Sequence, residues 1–482
     1  MFPTASPAGG VACDRRANGP VHHEGVTFAN PIIAAGLAGL TRLYAERAVT
    51  PVEACEAYLS RIAGLDGALG AFNHVDAEGA RAAAHASAER WRRGEALSLL
   101  DGAPIAIKAN VAVRGWPWHA GVGAYRARTA SEDAALVQRL RDGGAVLLGL
   151  TNMHEGAYGA VTDNPHFGRT HNPWNFDLTA GGSSGGSGAA VAAGLCAAAI
   201  GTDTLGSVRI PSAFCGVWGH KPGPGLAPTA GITPMAWTLD TAGVHARSAD
   251  DAARLFAGVC AAEPELASDI AEPASPEALA EGFAHAPLGI LAVEGVELAP
   301  SAAEGLDRAW AKARAAGLAV EPVRAAPVDL PALRRLGLFI SGAESAVEHA
   351  EALARDPSGF SDVYRGRLEK AAAKSAPDLA RAYRDLQAAS EAIREALSGY
   401  AAVLLPTTPL APFPFDRPQP ESTAELTALA SVAGLAATAF PVGLDDEGLP
   451  RSVQAVGWDD DVTLGLAKLL AVDPGAPPAY RG

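Results

Sequence analysis

The stretch that most constrains this chain is AGGSSGGSGAAVAAGLCAAAIGTD, residues 180–203. It opens on paired glycines and serines and runs straight into alanine-rich apolar sequence. A flexible Gly/Ser linker borders solvated sequence; this one borders a segment that has to be buried. The glycines therefore belong to a place where backbones approach closely. The rest of the composition agrees: apolar residues make up 49% of the chain but aromatics only 6%. Such a core is built from small side chains in tight contact. The apolar run from Gly188 to Gly201 is too short and too alanine-rich to span a bilayer.

Charge and cysteine content exclude several function classes. The 482 residues carry a net charge of −15 with no compensating Lys/Arg cluster, which argues against nucleic acid or an anionic membrane as partner. The five cysteines, Cys13, Cys55, Cys196, Cys215 and Cys260, show no CxxC spacing. They suit a reducing compartment and offer neither a metal site nor a cofactor anchor. The N-terminal MFPTASPAGGVACDRR lacks an apolar core segment, so a signal peptide is not expected and a cytoplasmic location is.

Element signals predict an α/β chain. Residues 1–28 read as a loose tail. Leu37, Leu40, Leu43 and Tyr44 recur at helical spacing, and Thr50, Pro51 and Glu53 form a capping box for a second helix. A long helix is expected over 78–96, a buried strand over Pro104–Lys108, and a helix opening at Ser131-Glu132-Asp133 with Leu136 and Leu140. Strand AVLLGL, 145–150, follows, and an apolar helix is expected over 189–200. Strands are also expected near 288–293, at 402–409, 437–443 and 451–457. This pattern predicts one large domain over 29–475: a mixed central sheet with helices on both faces. Its core covers about 99–260 and 400–470, with a mostly helical insertion at about 261–400.

The Gly/Ser stretch leaves few chemical options. A phosphate-binding loop needs Gly-Lys-Ser/Thr, or a preceding strand and a later acid; neither is present. Gly182-Ser183-Ser184-Gly185-Gly186 fits the G-x-S-x-G nucleophile elbow, with Ser184 as nucleophile. Yet no downstream histidine stands in a recognisable setting. Another base is Lys108, in PIAIKAN, because burial in an apolar strand lowers a lysine pKa. The alternative is a lysine at a strand end reaching water. Ser207, in GTDTLGSVRIPSAFCG, lies on a second glycine-bearing loop that a short buried helix would bring near the first.

The whole stretch from Ala180 to Pro222, with LDGAPIAIKAN, TNMHEGAYG, HFGRTHNPWN, LLPTTP and FPVGLDDEGLP, resembles the amidase signature family. The resemblance runs from about Leu37 to Leu470. It implies the family's Ser–cis-Ser–Lys triad: Ser207 as nucleophile, Ser183 as relay with a cis peptide, and Lys108 as neutral base. It implies an oxyanion hole from the backbone N–H groups of Thr204, Leu205, Gly206 and Ser207, and no metal or cofactor. Substrate-contact candidates are Gly156, Tyr158, His119 and Ser184, the last with a supporting structural role as its alternative. Trp116, Trp118 and Trp237 are further candidate walls, or ordinary core.

Two departures stand out. Leu205 replaces a glycine of the usual Gly-Gly-Ser loop, and Ala109 replaces the acid of Lys-Asp-Asn. A positive φ at 205 would strain a leucine; otherwise Leu205 narrows or greases the pocket. Asp203 and Arg209 resemble the family's structural pair. The implied function is hydrolysis of a linear small-molecule carboxamide. The alternatives are an ester, carbamate or urea hydrolase, a glutaminase component of an amidotransferase, and a non-catalytic binding descendant. Arg209-Ile210-Pro211, where such glutaminase components have Arg-Gln-Pro, disfavours that alternative. The resemblance leaves a homodimer open.

Overall fold

The computed structural model describes residues 28–260, 274–293, 295–323 and 329–480. Apart from Phe28, the expected N-terminal tail lies outside them. Eleven strands form one sheet: β1 (Phe72–Val75), β2 (Pro104–Lys108), β3 (Val146–Thr151), β4 (Ala198–Asp203), β5 (Trp218–Lys221), β6 (Thr241–Ala246), β7 (Leu288–Leu291), β8 (Val320–Val323), β9 (Ala402–Pro406), β10 (Ala436–Leu444) and β11 (Pro450–Gly457). Their spatial order is β1-β3-β2-β4-β6-β5-β10-β11-β9-β7-β8. Pairing is parallel for β3-β2-β4 and for β9-β7-β8, and antiparallel elsewhere. The sheet is therefore mixed. Every residue of β2, β3, β4, β6, β7 and β9 is buried, so both faces of these strands are covered. No helix among the described residues is long and apolar enough to cross a membrane.

Local chemistry accounts for many boundaries. The helix Pro51–Leu69 starts on the expected reciprocal Thr50/Glu53 box and ends at left-handed Gly70. The helix expected over 78–96 runs Ala77–Arg93, because Gly94 in the left-handed conformation stops it. The helix expected to open at Ser131 covers Ala135–Asp142.

Two readings of the sequence need correction. The apolar helix expected over 189–200 is a shorter, earlier helix, α1 (Gly185–Ala192), followed by strand β4. Gly194 turns the chain with φ +68° after α1. An alanine run has no periodicity to separate a buried helix from a strand buried on both faces. The described part of the 261–400 region is mostly helical, as expected, with one more strand than foreseen. It supplies two strands, of which only β7 was expected; β8, with its Val-Glu-Pro-Val sequence and two exposed residues, escapes a burial pattern. Both extend the central sheet at one edge, where Pro322 in β8 is tolerated.

Small residues set the spacing around α1. A Cβ on Gly186 would lie 2.5 Å from the backbone N and O of Asn152. We predict that Gly186→Ala lowers the thermal unfolding midpoint, by on the order of 1–3 kcal/mol of overpacking. Gly64→Ala, on an exposed helical face with nothing within 4 Å of the new Cβ, should raise the midpoint by up to about 1 kcal/mol through helix propensity. Differential scanning calorimetry of both variants is the check.

Candidate active site

The site is assembled where β2, β4 and the N-terminus of α1 meet. Lys108 ends β2, fully buried. β4 lies parallel beside it, with Ile107 opposite Ile200. This register brings Thr202 alongside the amine. Lys108 Nζ lies 2.7 Å from Ser183 Oγ, 2.7 Å from Thr202 Oγ1 and 3.4 Å from the Thr202 carbonyl. Asn110 Nδ2 donates to the same Thr202 hydroxyl at 3.2 Å. Ser183 follows a cis peptide at Gly182–Ser183 and immediately precedes α1, whose N-cap is Ser184. The positive end of the short helix thus starts at the serine pair itself.

Burial pushes the Lys108 amine down to about 7, opposed by the carboxylates of Asp240 and Asp203. A neutral amine has two N–H donors and one lone pair. Thr202 Oγ1 and the Thr202 carbonyl accept the two donors. The lone pair is left facing Ser183 Oγ, so the serine hydroxyl can donate to it. Thr202 was not singled out from the sequence. A threonine inside a buried strand carries no signal until its neighbour is known.

The loop after β4 carries Ser207, which is half-buried and lines a cavity of about 520 Å³. Its carbonyl accepts from Ser184 N at 3.1 Å, tying the two serine loops together. No hydrogen bond joins the Ser207 and Ser183 hydroxyls among the described residues. Catalytic hydrogen bonds commonly tighten only once substrate is seated.

A buried ion pair holds this loop. Arg209 Nη2 and Nε donate to the two oxygens of Asp203 at 2.9 and 3.0 Å, both side chains being fully buried. Arg209 also reaches the Thr427 carbonyl, Gln454 Oε1 and Ser431 Oγ, each at 2.9 Å. Burial alone would raise the Asp203 carboxyl, but the Arg209 guanidinium holds it below its usual range. Asp203 in turn accepts from the backbone N of Gly206 at 2.7 Å and of Val208 at 3.1 Å. The Gly206 N–H is therefore spent and does not face the cavity as an oxyanion donor. Thr204, Leu205 and Ser207 do line the cavity. The N–H groups of Leu205 and Ser207 have no partner among the described residues.

Gly206 has φ +132°, and a Cβ there would meet Thr427 Oγ1 at 2.2 Å. Leu205, by contrast, is not among the residues with positive φ. Its side chain packs on Gly337, where a Cβ would sit 2.8 Å away. It is cavity wall rather than strained backbone. A further carboxyl was not foreseen: Asp240 accepts from Thr204 Oγ1 at 2.5 Å and from Met235 N and Ala236 N. Burial raises it to about 6.

The substrate-contact candidates separate. Tyr158 lines the cavity, its hydroxyl donating to the Leu338 carbonyl at 2.9 Å. His119, Gly156 and Ser184 lie off the cavity wall. The His119 ring stacks on Phe167 with centroids 3.8 Å apart and accepts from Gly121 N. Gly156 is covered by Tyr364, and Ser184 Oγ is buried against the Thr202 backbone. Trp116 donates to Asp76 and Trp118 to the Asn110 carbonyl, while Trp237 is exposed. No histidine hydrogen-bonds Ser184 among the described residues. His245, on the neighbouring strand β6, bonds Ser212 instead.

The Amidase family profile matches residues 53–464 of this chain. The chain belongs to the Amidase family. One component of the glutamyl-tRNA(Gln) amidotransferase of Acidothermus cellulolyticus, its A chain, is 44% identical over 234 residues, 48% of this chain and 46% of that protein. The match thus spans about half the length of the curated relative. A solved structure reported as an unexpected vestigial protein complex that reveals the evolutionary origins of an s-triazine catabolic enzyme superposes with a TM-score of 0.81. It is 30% identical, over 89% of this chain and 97% of its own. The peptide amidase of Stenotrophomonas maltophilia superposes with a TM-score of 0.78 at 28% identity, over 93% of this chain and 99% of its own. Family membership supports a hydrolase of C–N bonds.

The Asp203–Arg209 pair yields a direct test. Arg209→Met leaves a fully buried carboxylate unpaired and should destabilise the protein by about 3–5 kcal/mol. Chemical unfolding should show the loss, and limited proteolysis should cut the loop after β4.

Proposed function

We propose that this protein hydrolyses the C–N bond of a linear carboxamide to a carboxylate and an amine or ammonia, through an acyl-enzyme on Ser207. The observation that carries the reading is the buried Lys108 amine, pushed down to about 7, with its nitrogen 2.7 Å from Ser183 Oγ. A serine hydroxyl is a weak nucleophile and needs such a base.

The Ser207 oxygen attacks the amide carbon while its proton passes to Ser183, whose own proton passes to Lys108. The backbone N–H groups at Leu205 and Ser207 receive the negative charge on the carbonyl oxygen. Collapse of the tetrahedral adduct breaks the C–N bond, and the proton returns from Lys108 through Ser183 to the leaving nitrogen. Water then attacks the acyl-enzyme by the same relay and regenerates Ser207. Each step uses only groups of this chain and water. The same machinery would open an ester, carbamate or urea-type bond, and the substrate tested decides among them.

A second reading rests on the 44% identity to a glutamyl-tRNA(Gln) amidotransferase component: release of ammonia from glutamine for a partner enzyme. Ile210 replaces the glutamine expected after Arg209 and lines the cavity as an apolar group, which favours the first reading. Comparing turnover of glutamine with that of simple aliphatic amides and anilides separates them.

Ser207→Ala and Lys108→Ala should each lower kcat on a responsive amide by on the order of 10⁴-fold. A fluorophosphonate should label Ser207 and not Ser184, as read by peptide mapping. Wild-type turnover by Ser207→Ala would overturn the assignment.

The pH profile has a defined sign. Below about 7 the Lys108 amine holds a proton and has no lone pair to offer; above it the amine is neutral. The value of kcat/KM should rise with pH through about 7 and then level. Asp240, near 6, titrates close by. The limb should therefore persist in Asp240→Asn if Lys108 is its source. A profile flat from pH 5 to 9 would contradict the neutral-lysine base.

A further inference from the structure

The cavity that holds Ser207 is walled on its outer side by two helices of the 261–400 region, α2 (Leu330–Glu348) and α3 (Asp362–Ala372). α2 contributes Arg334 and Arg335 with Leu338 and Phe339 one turn on. α3 and the residues after it contribute Arg367, Lys370 and Lys374. Arg367 and Lys370, three residues apart, share one face of α3, and Lys374 follows just beyond its end. Five cations thus line the cavity, against the single carboxylate of Glu421. The chain as a whole carries −15. So the cavity has the opposite sign to the molecule.

Arg335, Arg367, Lys370 and Lys374 are solvent-exposed, and the charges on α3 are sorted. Its acids are engaged away from the cavity: Arg365 pairs with Asp362 at 2.6 Å and with Glu369 at 3.7 Å. Neither acid lines the cavity. On the cavity side, Arg335, Arg367, Lys370 and Lys374 have no carboxylate within 4 Å among the described residues. Arg367 is steered inward by Tyr158, donating to its carbonyl at 2.7 Å and lying 5.1 Å from its ring centroid. Only Arg334 is neutralised, by Glu421 at 3.0 Å with Glu425 at 3.9 Å. Leu205, Met235, Leu338 and Phe339 add apolar wall to the same cavity.

We propose that the substrate is an anionic amide: a scissile carboxamide joined through a short apolar spacer to a free carboxylate, which the Arg335/Arg367/Lys370/Lys374 face binds. This rests on the amidase reading above and adds the substrate class to it. Unpaired cations in a concave, partly apolar site attract and hold an anion far better than on open surface. They also make the recognition sensitive to salt.

The test uses the triple variant Arg335→Gln/Lys370→Gln/Lys374→Gln, three exposed residues without ion pairs, beside the wild type. Turnover is compared for pentanamide, its ω-carboxylate glutaramate and an ω-trimethylammonium analogue of equal length. Binding of glutarate is measured separately by calorimetry, at 20 and 300 mM NaCl. The wild type should prefer glutaramate over pentanamide at least tenfold in kcat/KM and reject the cationic analogue. In the variant that preference should fall by roughly tenfold, and glutarate binding should weaken similarly and become less sensitive to salt. Equal turnover of glutaramate and pentanamide by the wild type, or an unaltered preference in the variant, overturns the proposal. The glutarate arm needs no catalysis. If no amide is turned over yet glutarate binds and the variant loses it, the amidase reading fails and the anion site stands; if glutarate does not bind the wild type, the anion site fails.

Discussion

A lysine amine buried at the end of a strand is the constraint on which the site depends. Lys108 ends a strand buried on both faces, so its charged form is costly and its neutral form needs partners for two N–H groups and one lone pair. Two elements supply them, and a side chain just after β2 steadies one. The parallel neighbour β4 brings Thr202, the turn into α1 brings Ser183, and Asn110 steadies the Thr202 hydroxyl. Each partner is positioned by backbone that packs closely, which explains why the sequence around it is so rich in glycine, alanine and serine. Large side chains would separate the very strands and helix that must converge on one nitrogen.

The second constraint is the loop that carries Ser207. Its shape comes from a carboxylate that gathers backbone N–H groups and from a guanidinium that gathers carbonyl and side-chain oxygens from the segment between β9 and β10 and from β11. The pair is fully buried, so the loop is set by hydrogen-bonding requirements rather than by contact with solvent. Leu205 ties this loop to a facing helix. Its side chain packs on Gly337 of α2, where a Cβ would lie 2.8 Å from it. That contact joins the Ser207 loop to the helices that carry the cavity's charge.

Much of this was legible in order. The capping box at Thr50, the buried strand PIAIK and the strands near 402, 437 and 451 follow from local chemistry and burial pattern, and they stand where expected. The family resemblance pointed to Lys108, Ser183 and Ser207, and the chain does belong to the Amidase family. The alanine run misled, because a featureless apolar stretch holds no period and a helix-turn-strand reads as one helix. His119 misled for a different reason. It was offered as a substrate contact, but stacking on Phe167 and a hydrogen bond from Gly121 absorb its ring.

The sequence by itself determined that a lysine would stand in an apolar strand and that two glycine-bearing serine loops would flank a short apolar helix. Those facts are local: they follow from which side chains can tolerate burial and which backbones can bend. Only the tertiary structure decided which groups meet. Thr202 faces Lys108 because of strand register, Gly206 loses its N–H to Asp203 because the loop closes back on β4, and Asp240 arrives from a distant turn. The cationic wall is of the same kind. Arg335, Arg367, Lys370 and Lys374 look like ordinary surface residues in a chain of −15, and become one feature only when α2 and α3 pack side by side over the cavity. Charge adds up over distances in space, and sequence records only distances along the chain.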